Sequence, residues 1–316
     1  MKTYECCECH ACYDGYTVPA NRMCTDAACP GNGMGMILEV KAPAPGKSNG
    51  QAAGPAPGDR SSKEAGYCLF LMDASGSMFE EMAFPDFPDL PSEFGDPFLS
   101  RAEMVTRLAA NAIFSMANTS DREHAYIGAI GFDHRTEPLF TESIAGLIRR
   151  FPSAREFSRY LFDALGKLRG GTNINAVLDL AHQACAGYLN GQIEGVGPIR
   201  PKIHRQLVPE RGAINIPNMR ILLWSDGEHQ QEHFGALHSP FQGMYPNLLL
   251  STYIGPDSGA GCDDLRQLAG CCPIHKEQQF FLLDRPDKVA NLRNIFRMAS
   301  GASGFCQKCM PVHVHR

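Results

Sequence analysis

The chain has 316 residues, 44% of them hydrophobic and 20% charged, with a formal net charge of −5. That length accommodates one large domain and a small one, and that balance excludes wholesale disorder. The mild acidity supplies no basic face for nucleic acid, and no apolar run approaches the ~20 residues of a membrane span.

Residues 1–40 are rich in Cys and Gly and poor in apolar periodicity. The first twelve residues are polar and lack the apolar stretch of a secretory signal, which predicts a cytosolic protein. Thirteen cysteines are many for a reducing compartment, and eight of them crowd the two termini. Such clustering points to metal ligation before disulfides. Cys9-x2-Cys12 and Cys24-x4-Cys29 form two short turns whose four thiolates suit tetrahedral Zn²⁺. Cys6, Cys7 and His10 leave the ligand choice open. In the tail 306–316, Cys306 and Cys309, followed by His313 and His315, offer a second half-site for a zinc shared with Cys6 or Cys7. A module this small has no core, so metal would supply its folding energy. Its acidic balance (Glu5, Glu8, Asp14, Asp26 and Glu39 against Lys2 and Arg22) fits protein docking better than a nucleic-acid finger.

Residues 41–65 are built from Pro, Gly, Ala and Ser and predict a flexible linker. From residue 66 to 305, strand-like and helix-like segments alternate. Continuous apolar runs at 67–72, 126–132, 219–224, 248–254 and 280–283 predict strands buried on both faces of a parallel sheet. Helices are predicted where Met104, Val105, Leu108, Ala112, Ile113 and Met116 recur, and again for Phe157, Leu161, Leu165 and Leu168. Further helices are expected at 174–186, 261–269 and 287–299. This order predicts a doubly wound, mostly parallel α/β sheet flanked by helices, plus the small Cys-rich zinc module. Ligands of such sheets bind beyond the carboxyl ends of the strands.

The first strand runs into Asp73-Ala74-Ser75-Gly76-Ser77. Gly170-Gly171-Thr172-Asn173 follows the second predicted helix, and Trp224-Ser225-Asp226-Gly227 follows a later strand. Asp73, Ser75, Ser77, Thr172 and Asp226 are hard oxygen donors suited to Mg²⁺ or Mn²⁺. D-x-S-G-S alone would also suit an N-capped strand-to-helix turn. The three elements in this order resemble the von Willebrand factor type A (vWA) domain with its metal-ion-dependent adhesion site, over roughly residues 66–300. The resemblance implies that these five residues hold the cation. It further implies that a carboxylate of a partner protein completes the ion's coordination. Similar vWA proteins occur in bacterial stress and conflict systems of the tellurite-resistance type. There an ATPase, kinase or phosphatase is the expected companion.

Two insertions interrupt the pattern. Residues 79–100 carry Glu80, Glu81, Asp86, Asp89, Glu93 and Asp96 without a basic residue, as a solvated loop or as a lid placing a carboxylate on the metal. Residues 188–217 name no chemistry. Cys262, Cys271, Cys272 and His275 are expected as packed or surface thiols. His229-x-x-Glu232-His233 matches the H-x-x-E-H zinc-peptidase pattern, the leading enzymatic alternative, but it needs a helix and sits in the loop after Asp226. An RNA-binding scaffold is a further alternative that the acidic balance opposes. Gly46-Lys47-Ser48 resembles only the end of a phosphate-binding loop.

Overall fold

The computed structural model describes residues 3–6, 12–14, 37–40, 64–81, 92–95, 98–117, 122–208, 212–227, 229–241, 248–255, 260–272 and 275–283. The chain divides into two units, one comprising Met1–Lys63, His204–Ile216 and Gly243–Tyr245, the other the remainder.

In the first unit, β1 (Thr3–Cys6), β2 (Cys12–Asp14) and β3 (Ile37–Val40) form an antiparallel sheet in the order β2-β1-β3. Cys6 ends β1 and Cys12 opens β2, opposite Glu5. Cys7, Cys9, Cys24, Cys29, Cys306 and Cys309 lie outside the described residues, as do residues 41–63 of the expected linker and the expected helix at 287–299.

The second unit begins with β4 (Glu64–Asp73), which starts two residues inside the expected linker because Glu64 and Ala65 pair with a later segment. A 3₁₀ turn (Gly76–Phe79) follows, then α1 (Arg101–Ser115) and β5 (Ala125–Phe132). β6 (Thr136–Ser143), α2 (Ile144–Arg150), α3 (Ala154–Leu165) and α4 (Ile174–Leu189) come next. The second insertion holds short strands, and its residues His204–Ile216 belong to the first unit. The strands are β7 (Gln192–Ile193), β8 (Gly197–Pro198), β9 (Arg200–Pro201), β10 (Ile203–Val208) and β11 (Gly212–Pro217). Then follow β12 (Met219–Ser225), the single turn α5 (Gln231–Phe234), β13 (Leu249–Ile254), α6 (Ala260–Leu268) and β14 (Phe280–Leu283).

The main sheet runs β14-β13-β12-β4-β5-β6, with β9 paired to β4 off that path. All its pairings are parallel except β5 with β6. The doubly wound expectation is met. β6 was not expected from the sequence: TEPLFTES carries a proline and two glutamates, residues an edge strand tolerates and a central one does not.

Ser100 caps α1 by accepting from the Glu103 amide, and Ser153 and Asn173 do the same for α3 and α4. Cys68, Phe70 and Met72 of β4 join one core cluster with Val105, Ile113, Phe157 and Leu161. Leu69 and Leu71 point the other way along the alternating strand and are equally buried. Each such side chain contributes about 1.5–3 kcal/mol by leaving water. That burial fixes the register of β4 and therefore the position of Asp73 at its end.

Candidate metal centre at the sheet switch point

The chain leaves β4 toward β5 on one side and later returns to β12 on the other. The strand order therefore reverses between β4 and β12, where doubly wound sheets open a crevice. Trp224 of β12 is opposite Met72 of β4. The next residues, Asp73 on one strand and Ser225-Asp226 on the other, meet at the mouth of that crevice.

Asp73 is 1% exposed. Its Oδ1 accepts from the Ser75 amide at 2.8 Å and its Oδ2 from the Ser225 hydroxyl at 2.5 Å. The Gly227 amide donates in turn to Ser225 Oγ at 2.9 Å. Ser75 precedes the 3₁₀ turn but makes no side-chain capping bond. Its hydroxyl faces that of Ser77 at 3.2 Å, so the capped-turn reading of D-x-S-G-S fails here. Thr172, 2% exposed, stands just before the Asn173 cap of α4.

Backbone bonds staple the three loops together. Arg169 N–H donates to Ala74 at 2.8 Å, Gly76 N–H to Gly170 at 3.2 Å, and Gln230 N–H to Thr172 at 3.2 Å. Asp133, directly after β5, accepts from the Gly170 amide at 3.0 Å and the Arg135 amide at 2.6 Å. Those bonds to Arg135 and Gly170 hold its carboxyl below the usual range, although burial opposes them. Arg169 adopts φ +62°, a conformation disfavoured for a side-chain-bearing residue, and its guanidinium lies 4.3 Å above the Phe79 ring.

Asp226 is 6% exposed. Its Oδ2 lies 3.5 Å from Arg101 Nη1, which also donates to the Ser77 carbonyl at 2.7 Å. Its Oδ1 is buried and, among the described residues, has no hydrogen-bond partner. Burial, and then the neighbouring Asp226, push the Asp73 carboxyl up to about 7, against its bonds from Ser225 and Ser75. The buried Asp73 and Asp226 carboxylates, the latter with one unpartnered oxygen, lie beside neutral hydroxyls as a set of hard oxygen donors. The five predicted donors fit a hard divalent ion on this ground.

The peptidase pattern does not assemble. α5 is one turn and begins after His229, so His229 and His233 share no helical face. Both ring nitrogens of His229 meet backbone, Nδ1 accepting from Ile174 N at 3.3 Å and Nε2 contacting Gly235 O at 3.0 Å. The residue is a brace between the Thr172 and Asp226 loops. In the first insertion Glu80 and Glu81 are exposed, Glu93 is bonded to Arg107, and Asp86, Asp89 and Asp96 lie outside the described residues. Cys262 and Cys272 are buried and Cys271 is half-buried, in line with packed thiols.

Arg101, Asp133 and His229's bracing role escape sequence reading. Asp133 obeys the rule that found Asp73 and Asp226, a carboxylate directly after a strand. Arg101 carries no such signal, being 125 residues from Asp226.

No family model matches the chain, and no curated protein matches it in sequence. Among solved structures it is similar to vWA-type domains. Proximal thread matrix protein 1 of the mussel byssus is 11% identical, covering 75% of this chain and 48% of that one, with a TM-score of 0.44. A second structure of the mussel protein, 12% identical at a TM-score of 0.43 over 75% of this chain and 48% of that one, has a zinc-occupied adhesion-site motif. The von Willebrand factor type A protein of Catenulispora acidiphila is 11% identical over 76% and 44% of the two chains, with a TM-score of 0.42. The aerotolerance-related membrane protein of Bacteroides fragilis is 14% identical over 76% and 100%, at 0.40. The chain spans about half the length of the mussel proteins it matches. Its own strand order and parallel registers establish the doubly wound α/β fold.

Proposed function

We propose that this chain is a protein-binding module that grips an Asp or Glu side chain of a partner through a divalent cation, Mg²⁺ or Mn²⁺. Asp73, Ser75, Ser77, Thr172 and Asp226 would hold the ion. The observation that carries this reading is the buried Asp73–Asp226 pair at the switch point, with Asp226 Oδ1 left unpartnered among the described residues. When bound, the ion supplies a Lewis-acid position open to an acidic side chain from outside. The serine and threonine hydroxyls contribute oxygen without charge, so the ion's charge is only partly neutralised. The stapled loops keep the donors in place before any partner arrives, which lowers the ordering cost of association.

The Cys clusters at the termini are proposed to hold Zn²⁺ and fold the small module, for which elemental analysis of protein made with ample zinc is the test. Less than about half an equivalent per chain would sink that idea. A stress-system ATPase, kinase or phosphatase is the proposed partner class. The functional test is partner capture with Mg²⁺ and with chelator, using wild type and Thr172→Ala. Capture that survives both chelation and substitution would leave the cation no role in binding.

A further inference from the structure

Asp133 follows β5 directly and is fully buried. It bonds to the Thr172 loop twice, through two different groups. Its carboxylate Oδ2 accepts from the Gly170 amide at 3.0 Å, and its main-chain carbonyl accepts from the Asn173 amide at 2.9 Å. These two amides lie on either side of Thr172, so one residue anchors both ends of the segment that carries the proposed donor. The carboxylate is itself held in place. Oδ1 accepts from the Arg135 amide at 2.6 Å and Oδ2 from Arg135 Nη2 at 3.3 Å, while the Asp133 amide donates to the Arg135 carbonyl at 3.0 Å. The corner between β5 and β6 is thus a closed turn that presents one carboxylate oxygen to Gly170.

The loop needs such an anchor. Gly170 and Gly171 precede Thr172, and glycine has more backbone freedom to lose on ordering than any other residue. A Cβ on Gly170 would collide with the His134 ring and lie 2.7 Å from Asp133 Oδ2, so the close approach of corner to loop requires glycine there. The order that glycine does not supply then comes from bonds to neighbours. Gly76 N–H on the Gly170 carbonyl and Gln230 N–H on the Thr172 carbonyl tie the loop to the other two metal loops. Asp133 ties it to the end of a strand in the sheet. A bond from a backbone amide to a carboxylate is stronger than one between neutral groups, which suits it to that task. We infer that Asp133 is a positioning residue of the metal centre, setting the Thr172 hydroxyl where the ion takes a neutral oxygen and acting on the ion through Thr172. This rests on the cation-site reading proposed above and deepens it by naming the group that holds Thr172 in register with Asp73 and Asp226.

The test is a double-mutant cycle on the full-length chain, with Mn²⁺ as the probe followed by electron paramagnetic resonance, and with urea unfolding of the same proteins in chelator. The four proteins are wild type, Asp133→Ala, Thr172→Ala and the double variant. Asp133→Ala removes the carboxylate bonds and leaves the carbonyl bond to Asn173. It is expected to weaken Mn²⁺ binding about tenfold in the wild-type background and by less than about twofold beside Thr172→Ala, while lowering the urea midpoint equally in both. A residue that only supports the fold, or that attracts the ion by its charge, would weaken Mn²⁺ binding by the same factor in both backgrounds, and that result overturns the inference. An Asp133→Ala protein that binds Mn²⁺ as tightly as wild type overturns it as well. If Asp133→Ala does not fold, Asp133→Asn, which keeps one of the two acceptor oxygens, replaces it in the cycle with an expected loss of about threefold, read in the same way. Wild type that fails to bind Mn²⁺, or Thr172→Ala that binds it as tightly as wild type, strikes the underlying reading instead, and the two kinds of failure are thus distinguishable.

Discussion

Replacing Asp73 by Asn should stabilise the cation-free protein at pH 8 and abolish its response to Mg²⁺. The ordinary carboxyl value near 3.8 is pushed to about 7 in the fold. Holding the group ionised there costs roughly 4 kcal/mol. Asn keeps the shape and one acceptor for the Ser75 amide but turns an N–H toward Ser225 Oγ, whose present bond to Asp73 is then lost. That exchange costs about 1–2 kcal/mol, which leaves a net gain of about 2 kcal/mol. The sign follows from linkage. A carboxyl with a folded value above its unfolded one leaves stability intact below pH 4 and erodes it as pH rises through about 7. Wild type and variant should therefore converge at pH 5 and separate at pH 8. Urea unfolding in chelator at both pH values measures this, and a parallel series in Mg²⁺ at about 100 times its Kd should raise wild type by about 2.7 kcal/mol and the variant by nothing. A variant less stable than wild type at pH 8, with no convergence in acid, would refute the reasoning.

His229→Ala should cost about 2–3 kcal/mol in denaturant midpoint terms because it strands the Ile174 amide and the Gly235 carbonyl, while Glu232→Gln should change neither stability nor partner capture. Loss of function in the Glu232 variant with folding intact would revive the peptidase reading. Gly227 has φ +77° and a Cβ there would collide with the Gly261 carbonyl, so Gly227→Ala should lower stability by at least about 2 kcal/mol and weaken Mn²⁺ binding by displacing Asp226. A neutral result would mean the Asp226 loop is held by something other than this close approach. Burial pushes the Cys185 thiol up to about 12 and Cys68 higher still, so alkylation of native protein at pH 8 should spare both and label half-buried Cys271. Rapid labelling of Cys68 or Cys185 would show that the sheet opens readily.

Much of the fold could be read from residues because parallel strands buried on both faces are continuous apolar runs. Leu69–Phe70–Leu71–Met72 and the run ending at Trp224 needed no partner to be recognised. The edge strand β6 was invisible for the opposite reason, since its pattern is half polar and broken by Pro138. The five metal-donor candidates were legible because each sits in a short motif just beyond a strand or before a helix cap. The bracing residues were not, because their roles arise only when loops distant in sequence meet. Arg101 looks like any helix-opening arginine until Asp226 lies beside it. His229 was conspicuous for the wrong chemistry: the spacing to His233 suggested zinc, whereas the single turn of α5 leaves its ring to bond backbone on both sides.

The most direct test of the cation centre is a calorimetric titration of Mn²⁺ into wild type, Asp73→Asn and Asp226→Asn, each previously stripped with a chelator that spares thiolate-bound zinc. The account predicts one oxygen-ligated site per chain in wild type that competes with Mg²⁺ and is missing from both variants. Equal stoichiometry and affinity in all three proteins would contradict it.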